Sequence, residues 1–474
     1  MTPATLPPAV GTLGELRATG YRSRTVKEEM RANLVDRLRR GEPLLPGIIG
    51  YDTTVVPQIE NAILAGQDLI LLGERGQAKS RIARALVGLL DEWMPAVAGT
   101  ELHDDPLHPA SPVGRSIVAE RGEETPIAWI GRAERYGEKL ATPDITIADL
   151  VGEVDPVKVA EGRYLSDELT IHYGLLPRTN RGIFALNELP DLAERIQVGL
   201  LNLMEERDVQ IRGYKVRLSL DLFVVASANP EDYTSRGRII TPLKDRFGAQ
   251  VRTHYPEDPE TEMAIMEAER LAFDDETSAA VPVQVPGFMR EIVAELSQLA
   301  RRSSEVSQRS GVSVRVSIAN HETLIAAALK RAVRLGEPIG APRISDLEAV
   351  VASTAGKIEL ETLGDETRED KVIGKLVDRA VVNVFNRHFS LVELASLVER
   401  FEAGAHAQVG QSVASAEHEH LMATIPELES AVARLDVGEA AAGRASGVEF
   451  VLEGLHLNRR LNKERRAGRI RYAR

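Results

Sequence analysis

The sequence predicts an α/β domain, built on a parallel sheet with crossover helices, followed by a helical domain. Three observations carry this. From Gly47 to about Tyr255, short apolar runs alternate with amphipathic stretches. Three of the runs, DLILL (68–72), GIFAL (182–186) and LFVVA (222–226), are short, apolar and partly β-branched or aromatic, as buried parallel strands are. Beyond Tyr255 no convincing strand is visible over 259–400, and helical patches such as EIVAELSQLARR (291–302) and ANHETLIAAALKRAVRL (319–335) take over.

In chain order, residues 1–45 read as a loose Pro-rich start and then a charged helix, roughly Thr25 to Arg40, stopped at Gly41. Residues 46–255 form the α/β core. Within it Ala98–Pro143, rich in Pro, Gly and His, reads as an insertion of loops, and DVQIRGYKVR (208–217) reads as a β-hairpin around Gly213. Residues 256–400 are the helical domain. Residues 401–474 are an extension, weakly patterned to 450 and ending in RRLNKERRAGRIRYAR, which carries eight Lys/Arg against one Glu. That basic end reads as a solvated or partner-bound tail.

The chain has 474 residues, enough for two to four domains, and 43% hydrophobic residues, ordinary for a globular protein. A formal net charge of -13 argues against broad binding to a nucleic-acid backbone. With no cysteine, disulfides, thiolate metal sites and thiol catalysis are excluded. No apolar run reaches the ~18–20 residues of a membrane helix, and the N-terminus lacks a hydrophobic signal core, so a cytoplasmic protein is expected. The ten His form no cluster with metal-ligand spacing; those in LHDDPLHP (102–109) read as part of a solvated loop.

Residues 73–80, GERGQAKS, approach the phosphate-loop pattern G-x-x-x-x-G-K-[ST], with Ala78 in place of the second Gly. Gly73, Glu74, Arg75, Gly76, Gln77, Ala78, Lys79 and Ser80 are the candidate nucleotide-binding residues. The stretch follows an apolar strand and opens an amphipathic helix with Ile82, Leu86, Leu89 and Leu90, the context such a loop needs. Gly73 and Gly76 retain backbone freedom, and Ala78 is expected to take helical angles as the loop enters the helix. Lys79 would contact the β- and γ-phosphates of ATP, and Ser80 would ligate Mg²⁺. The second strand ends in Asn187-Glu188, where an Asp-Glu pair would hold Mg²⁺ and orient the attacking water. Taken alone, this is equally a strand with a polar end. The third strand, DLFVVASANPED (221–232), ends in Asn229, placed to position water or the γ-phosphate. TPLKDRFGAQV (241–251) supplies Arg246, a candidate arginine finger or, by itself, a partner of Asp245.

In this order the segments resemble the AAA+ ATPases, and in detail the I subunit of magnesium chelatase and the MoxR ATPases. The similarity rests on LVGEVDPVKVAEGRYLSDELTIHYGLLPRTNRGIFALNEL (150–189), SANPED and LKDRFGAQV, and covers roughly residues 46–255. In the helical part it thins to GVSVRVSIA (311–319), where Arg315 resembles a sensor-2 arginine. The resemblance implies a P-loop AAA+ core with a helix-2 insert near 153–175, a hairpin insert near 208–217 and a C-terminal helical lid. It implies a homo-oligomeric ring, usually a hexamer, with ATP between subunits, Glu188 acting from one and Arg246 from the next. It also implies a partner with a von Willebrand A-type domain, and remodelling or metal insertion as the outcome.

Asn187 departs from the family's acid and Pro190 from its usual Asn, so slow but real hydrolysis is expected. Three other functions compete. A nucleotide-gated scaffold would bind ATP with little turnover. A nucleic-acid motor would use Arg212, Lys215 and Arg217 of the hairpin, against the acidic balance and the lack of interleaved aromatics. A sigma-54-type activator would need a Gly-Ala-Phe-Thr-Gly-Ala loop that VDPVKVAEGRYLSDELTIHYG lacks.

Overall fold

The computed structural model describes residues 6–154, 171–206, 218–229, 238–272, 281–307, 311–361, 366–466 and 469–474. The expected hairpin at 208–217 and most of the helix-2 insert lie outside them. The chain divides into two compact units, Met1–His254 and Tyr255–Arg474.

Among the described residues, the strands of the first unit are β1 (Leu69–Leu72), β2 (Trp93–Val97), β3 (Ile127–Gly131), β4 (Tyr136–Leu140), β5 (Gly152–Val154), β6 (Ile171–Tyr173), β7 (Gly182–Asn187), β8 (Leu222–Ala228) and β9 (Ala249–Arg252). Five of them form one parallel sheet in the order β4-β7-β8-β1-β9. The three strands read from the sequence are its interior members, each buried on both faces as a parallel sheet requires. Alternate residues enter two cores. Leu69, Leu71, Ile183, Ala185, Phe223 and Val225 join the helices Val26–Arg39, Val55–Leu64 and Lys79–Ala85 on one face. Ile70, Leu72, Phe184, Leu186, Val224 and Ala226 face the second core. This is the helix-flanked P-loop sheet that the AAA+ resemblance implies.

The helix expected from Thr25 runs Val26–Arg39, with Thr25 and Glu28 closing a capping box and Gly41 leaving at φ 67°. It is part of the core: Met30 and Leu34 are fully buried, and Glu29 makes a two-pronged ion pair to the buried Arg135. The stretch 98–143 is more than loops. It holds the helix Pro112–Arg121, strand β3, which pairs antiparallel with β2, and β4, the edge strand of the main sheet. The edge position explains the weak signal: YGEKL has one neighbour and half-buried sides, so polar residues survive in it. LHDDPLHP is likewise no solvated loop. Asp104 is fully buried and accepts from the amide and hydroxyl of Ser111, while Asp105 bonds the amide of Leu107.

The second unit is helical, with long helices Gly287–Arg302, Val314–Leu335, Glu366–His388 and Ala441–Leu457. It also carries a three-stranded sheet of β10 (Ala407–Val409), β11 (Asn462–Arg466) and β12 (Arg469–Ala473), in the order β10-β12-β11. Residues beyond 401 share one apolar core with the preceding helices. Thirteen of the seventeen residues of Ala441–Leu457 are buried. A helix enclosed on all sides shows no amphipathic period, which is why this segment looks unpatterned. Gly454 lets it approach Phe385, whose ring a Cβ would overlap. The basic tail is a strand pair in which Ile470 and Tyr472 point inward and Arg469 and Arg471 outward.

Among the described residues no helix is long and apolar enough to cross a membrane, and no group of three metal-type ligands occurs.

Candidate nucleotide site

The parallel sheet ends its strands β1, β7 and β8 side by side, the edge where open α/β sheets place ligands. The loop 73–78 leaves β1 there and enters the helix Lys79–Ala85. Its backbone is braced from below. The Gly73 amide donates to Ala228 O at 3.1 Å, and the Thr253 amide to Leu72 O at 2.8 Å. The Thr253 hydroxyl donates to Gln77 Oε1 at 2.7 Å. A Cβ on Gly73 would collide with that hydroxyl, so close approach explains this glycine. Gly76, at φ 77°, is required by its backbone angle instead. The Tyr51 hydroxyl donates to Gln77 O at 3.0 Å and to His254 O at 2.9 Å. Burial pushes that phenol up to about 12, so it remains a donor at any ordinary pH. Thr253 and Tyr51 escaped the sequence reading because they come from distant segments and belong to no motif.

Ala78 does not take right-handed helical angles. It sits at φ 56°, ψ 14°, the left-handed region that favours glycine. That conformation costs a side-chain-bearing residue about 1–2 kcal/mol, whereas Gly costs about 0.4–1 kcal/mol in unfolded-chain entropy. The first term is larger, so Ala78→Gly is expected to stabilise the protein by about 0.5–1 kcal/mol. Urea unfolding of the two proteins checks this; a less stable Gly variant contradicts it.

Lys79 is buried and curls back over its own loop. Its ammonium donates to Gly73 O, to Glu74 O at 2.8 Å and to Asn229 Oδ1 at 2.8 Å. Asn229 Nδ2 donates onward to Glu188 Oε2 at 2.6 Å. Three expected residues from three separate elements thus form one chain of contacts, Lys79–Asn229–Glu188. Glu188 is itself left-handed at φ 56°, ψ 47°, and its amide donates to Ser227 Oγ at 3.3 Å. A non-glycine residue held so at a strand tip is strained by about 1–3 kcal/mol, a feature that concentrates at functional sites.

Beside that chain lies a second network. Ser80 Oγ donates to Asn187 Oδ1 at 3.3 Å, as does Ser227 Oγ at 3.2 Å. Asn187 Nδ2 donates to Glu138 Oε1 at 2.7 Å, and Arg84 Nη2 donates to Glu138 Oε2 at 2.7 Å. Burial opposes ionisation of Glu138, but the bonds from Arg84 and Asn187 outweigh it and hold its carboxyl below the usual range. Glu138 was not expected from the sequence, because its strand β4 was not recognised. Of the remaining expected residues, Glu74 and the exposed Arg75 lie in the loop. Arg246 is exposed at the end of the helix Thr241–Arg246, whose neighbours Leu243 and Phe247 are buried. Arg315 is an exposed first-turn residue of the helix Val314–Leu335 in the second unit.

No family model matches the chain. Curated relatives do. The chain is 27% identical over 252 residues to the chloroplastic magnesium-chelatase subunit ChlI of Chlamydomonas reinhardtii, covering 51% of this chain and 56% of that one. It is 28% identical over 259 residues to the magnesium-chelatase 38 kDa subunit of Cereibacter sphaeroides, covering 54% of this chain and 69% of that one. The match thus spans little more than half the length of the algal relative. Among solved structures, a reconstruction of the magnesium-chelatase BchI–BchD complex aligns at 20% identity and a TM-score of 0.35, covering 69% of this chain and 98% of that one. Over about half of its length, then, the chain is similar to magnesium-chelatase I-type subunits, and its own fold is a parallel sheet with a phosphate-loop pattern at the end of β1.

Proposed function

We propose that the chain is an ATP-hydrolysing AAA+ motor of the magnesium-chelatase I/MoxR type. The observation that carries this reading is the convergence of Lys79, Asn229 and Glu188 in direct hydrogen-bond contact at the end of a parallel P-loop sheet. The residues fit ATP with Mg²⁺. Ser80 Oγ and Asn187 Oδ1 present hard oxygen atoms on that side, the chemistry Mg²⁺ selects, with the Glu138 carboxylate behind Asn187. Gly73 and Gly76 keep the loop backbone open to close approach. Ser80 and Asn187 would hold Mg²⁺ there, and the ion would supply positive charge to offset that of the phosphates.

The chain's own residues do the rest. Lys79 exchanges the Gly73 and Glu74 carbonyls for phosphate oxygens, a stronger charge-assisted contact. Asn229 joins the two ends of the site, so phosphate drawn to Lys79 also loosens its hold on Glu188. Glu188, released, accepts a hydrogen bond from the attacking water and takes its proton. In the same reading the protein works as a homo-oligomeric ring, hexameric in the usual case, with Arg246 reaching the neighbouring site. Its client is a von Willebrand A-domain protein, remodelled or activated and in some systems loaded with metal. The net charge of -13 counts against a nucleic-acid client.

A second reading, a nucleotide-gated scaffold, draws on the same site. Asn187 brings no carboxylate, and Glu188 is tied to Asn229. Steady-state ATP hydrolysis at rising protein concentration separates the two. Turnover is expected to rise faster than linearly with protein, and Lys79→Ala to lower it by at least about 10²-fold. ATP binding without turnover in the wild type selects the scaffold. Wild-type turnover in the Lys79 variant overturns the site.

A further inference from the structure

We propose that Glu138 supplies the negative charge that Asn187 lacks, acting as a positioning residue that aims Asn187 at Ser80 on the metal side of the nucleotide site. This rests on the reading of that site as one for Mg²⁺ and ATP.

The geometry is specific. Glu138 lies opposite Ala185 in the β4–β7 register, so its side chain shares a sheet face with Asn187, two residues further along β7. The helix Lys79–Ala85 covers that face with Ser80 and Arg84, one turn apart. The four side chains therefore form a chain in which Ser80 meets Asn187, Asn187 meets Glu138 and Glu138 meets Arg84, its two ends carried on one helix. An amide has two ends, and Glu138 decides between them. As a pure acceptor it takes the Nδ2 group and turns Oδ1 toward Ser80 and Ser227. Without it, either end of the amide could face the metal side, and Nδ2 there would repel a cation.

Charge follows the same logic. Asn187 is neutral, but at 2.7 Å it touches the Glu138 carboxylate, whose other oxygen takes the Arg84 guanidinium. Arg84 does not cancel it evenly. The Arg84 side chain is 66% exposed and screened by solvent, while that of Glu138 is 25% exposed and turned toward Asn187. The departure at Asn187 is thereby offset by a neighbouring strand, not by a neighbouring residue in sequence.

A four-protein charge transplant tests this: wild type, Glu138→Gln, Asn187→Asp and the double variant. The readout is the affinity for N-methylanthraniloyl-ATP with Mg²⁺ and with EDTA, whose ratio is the gain from Mg²⁺. In Glu138→Gln the gain is expected to fall about 10–100-fold, the usual effect of removing a metal ligand's carboxylate partner, with the EDTA affinity unchanged. In Asn187→Asp a second carboxylate faces Glu138 at hydrogen-bond distance, and the repulsion between the two leaves little improvement. The double variant, with its single carboxylate moved to position 187, is expected to recover the wild-type gain. A Glu138→Gln protein with the wild-type gain overturns the proposal. So does an equal loss in Mg²⁺ and in EDTA, or a double variant as poor as Glu138→Gln. A wild type that binds the probe with no gain from Mg²⁺ overturns it while leaving the nucleotide site standing. A wild type that does not bind the probe overturns the functional reading itself.

Discussion

Arg246→Ala is expected to lower ATP turnover about 10³–10⁵-fold, the range for an arginine finger, with nucleotide affinity nearly unchanged. The side chain stands exposed at the end of the helix Thr241–Arg246, which is anchored by Leu243 and Phe247. Truncating it leaves those anchors in place, so stability is expected to change by no more than about 0.5 kcal/mol. The decisive version mixes two inactive proteins. In the proposed ring, a mixture of Arg246→Ala and Glu188→Gln subunits would contain interfaces with an intact Glu188 from one protein and an intact Arg246 from the other. Hydrolysis is expected to reappear in the mixture. If the mixture stays inactive while each variant still oligomerises, Arg246 does not act across a subunit boundary.

Glu188→Gln is the second large effect, a loss of about 10²–10⁴ in turnover with ATP binding retained. Gln keeps the shape and can still meet Asn229, so the contact Asn229 Nδ2 to Glu188 Oε2 at 2.6 Å survives in form. Only the capacity to take a proton is removed. Each tenfold is about 1.4 kcal/mol of barrier, so this variant costs about 3–5 kcal/mol in the transition state and little in the fold. Equilibrium binding and single-turnover hydrolysis measured side by side check it. Unchanged single-turnover hydrolysis would remove Glu188 from the chemistry and point to another base.

Much of the site was legible because its signals are local. A strand, a loop and a helix that follow one another carry the phosphate-binding pattern in eight residues, and Lys79 and Ser80 need nothing distant to be recognised. Asn187, Glu188 and Asn229 were legible because each closes an apolar run, and strand ends of a parallel sheet meet at one edge. Ala78 was misread for a subtler reason. Its place at the helix entrance suggests helical angles, but the tight exit from a braced loop imposes left-handed ones. Glu138 was invisible. Its strand sits at the sheet edge with half-buried sides, so its pattern gives no strand signal, and its partner Asn187 is about fifty residues away. The helix Ala441–Leu457 was missed from the opposite cause, burial so complete that no polar face remains to show a period.

By itself, then, the sequence determined the P-loop, the interior strands of the sheet, the helical character of the second unit and the order in which site residues are presented. These follow from short-range patterns: apolar periodicity, turn chemistry and a motif contiguous along the chain. The tertiary structure alone decided which side chains touch. It joined Lys79 to Glu188 through Asn229, braced the loop with Tyr51 and Thr253, and set Glu138 beside Asn187. Those pairings depend on strand order and register, set by backbone hydrogen bonds between segments far apart in the chain, and no local pattern encodes them.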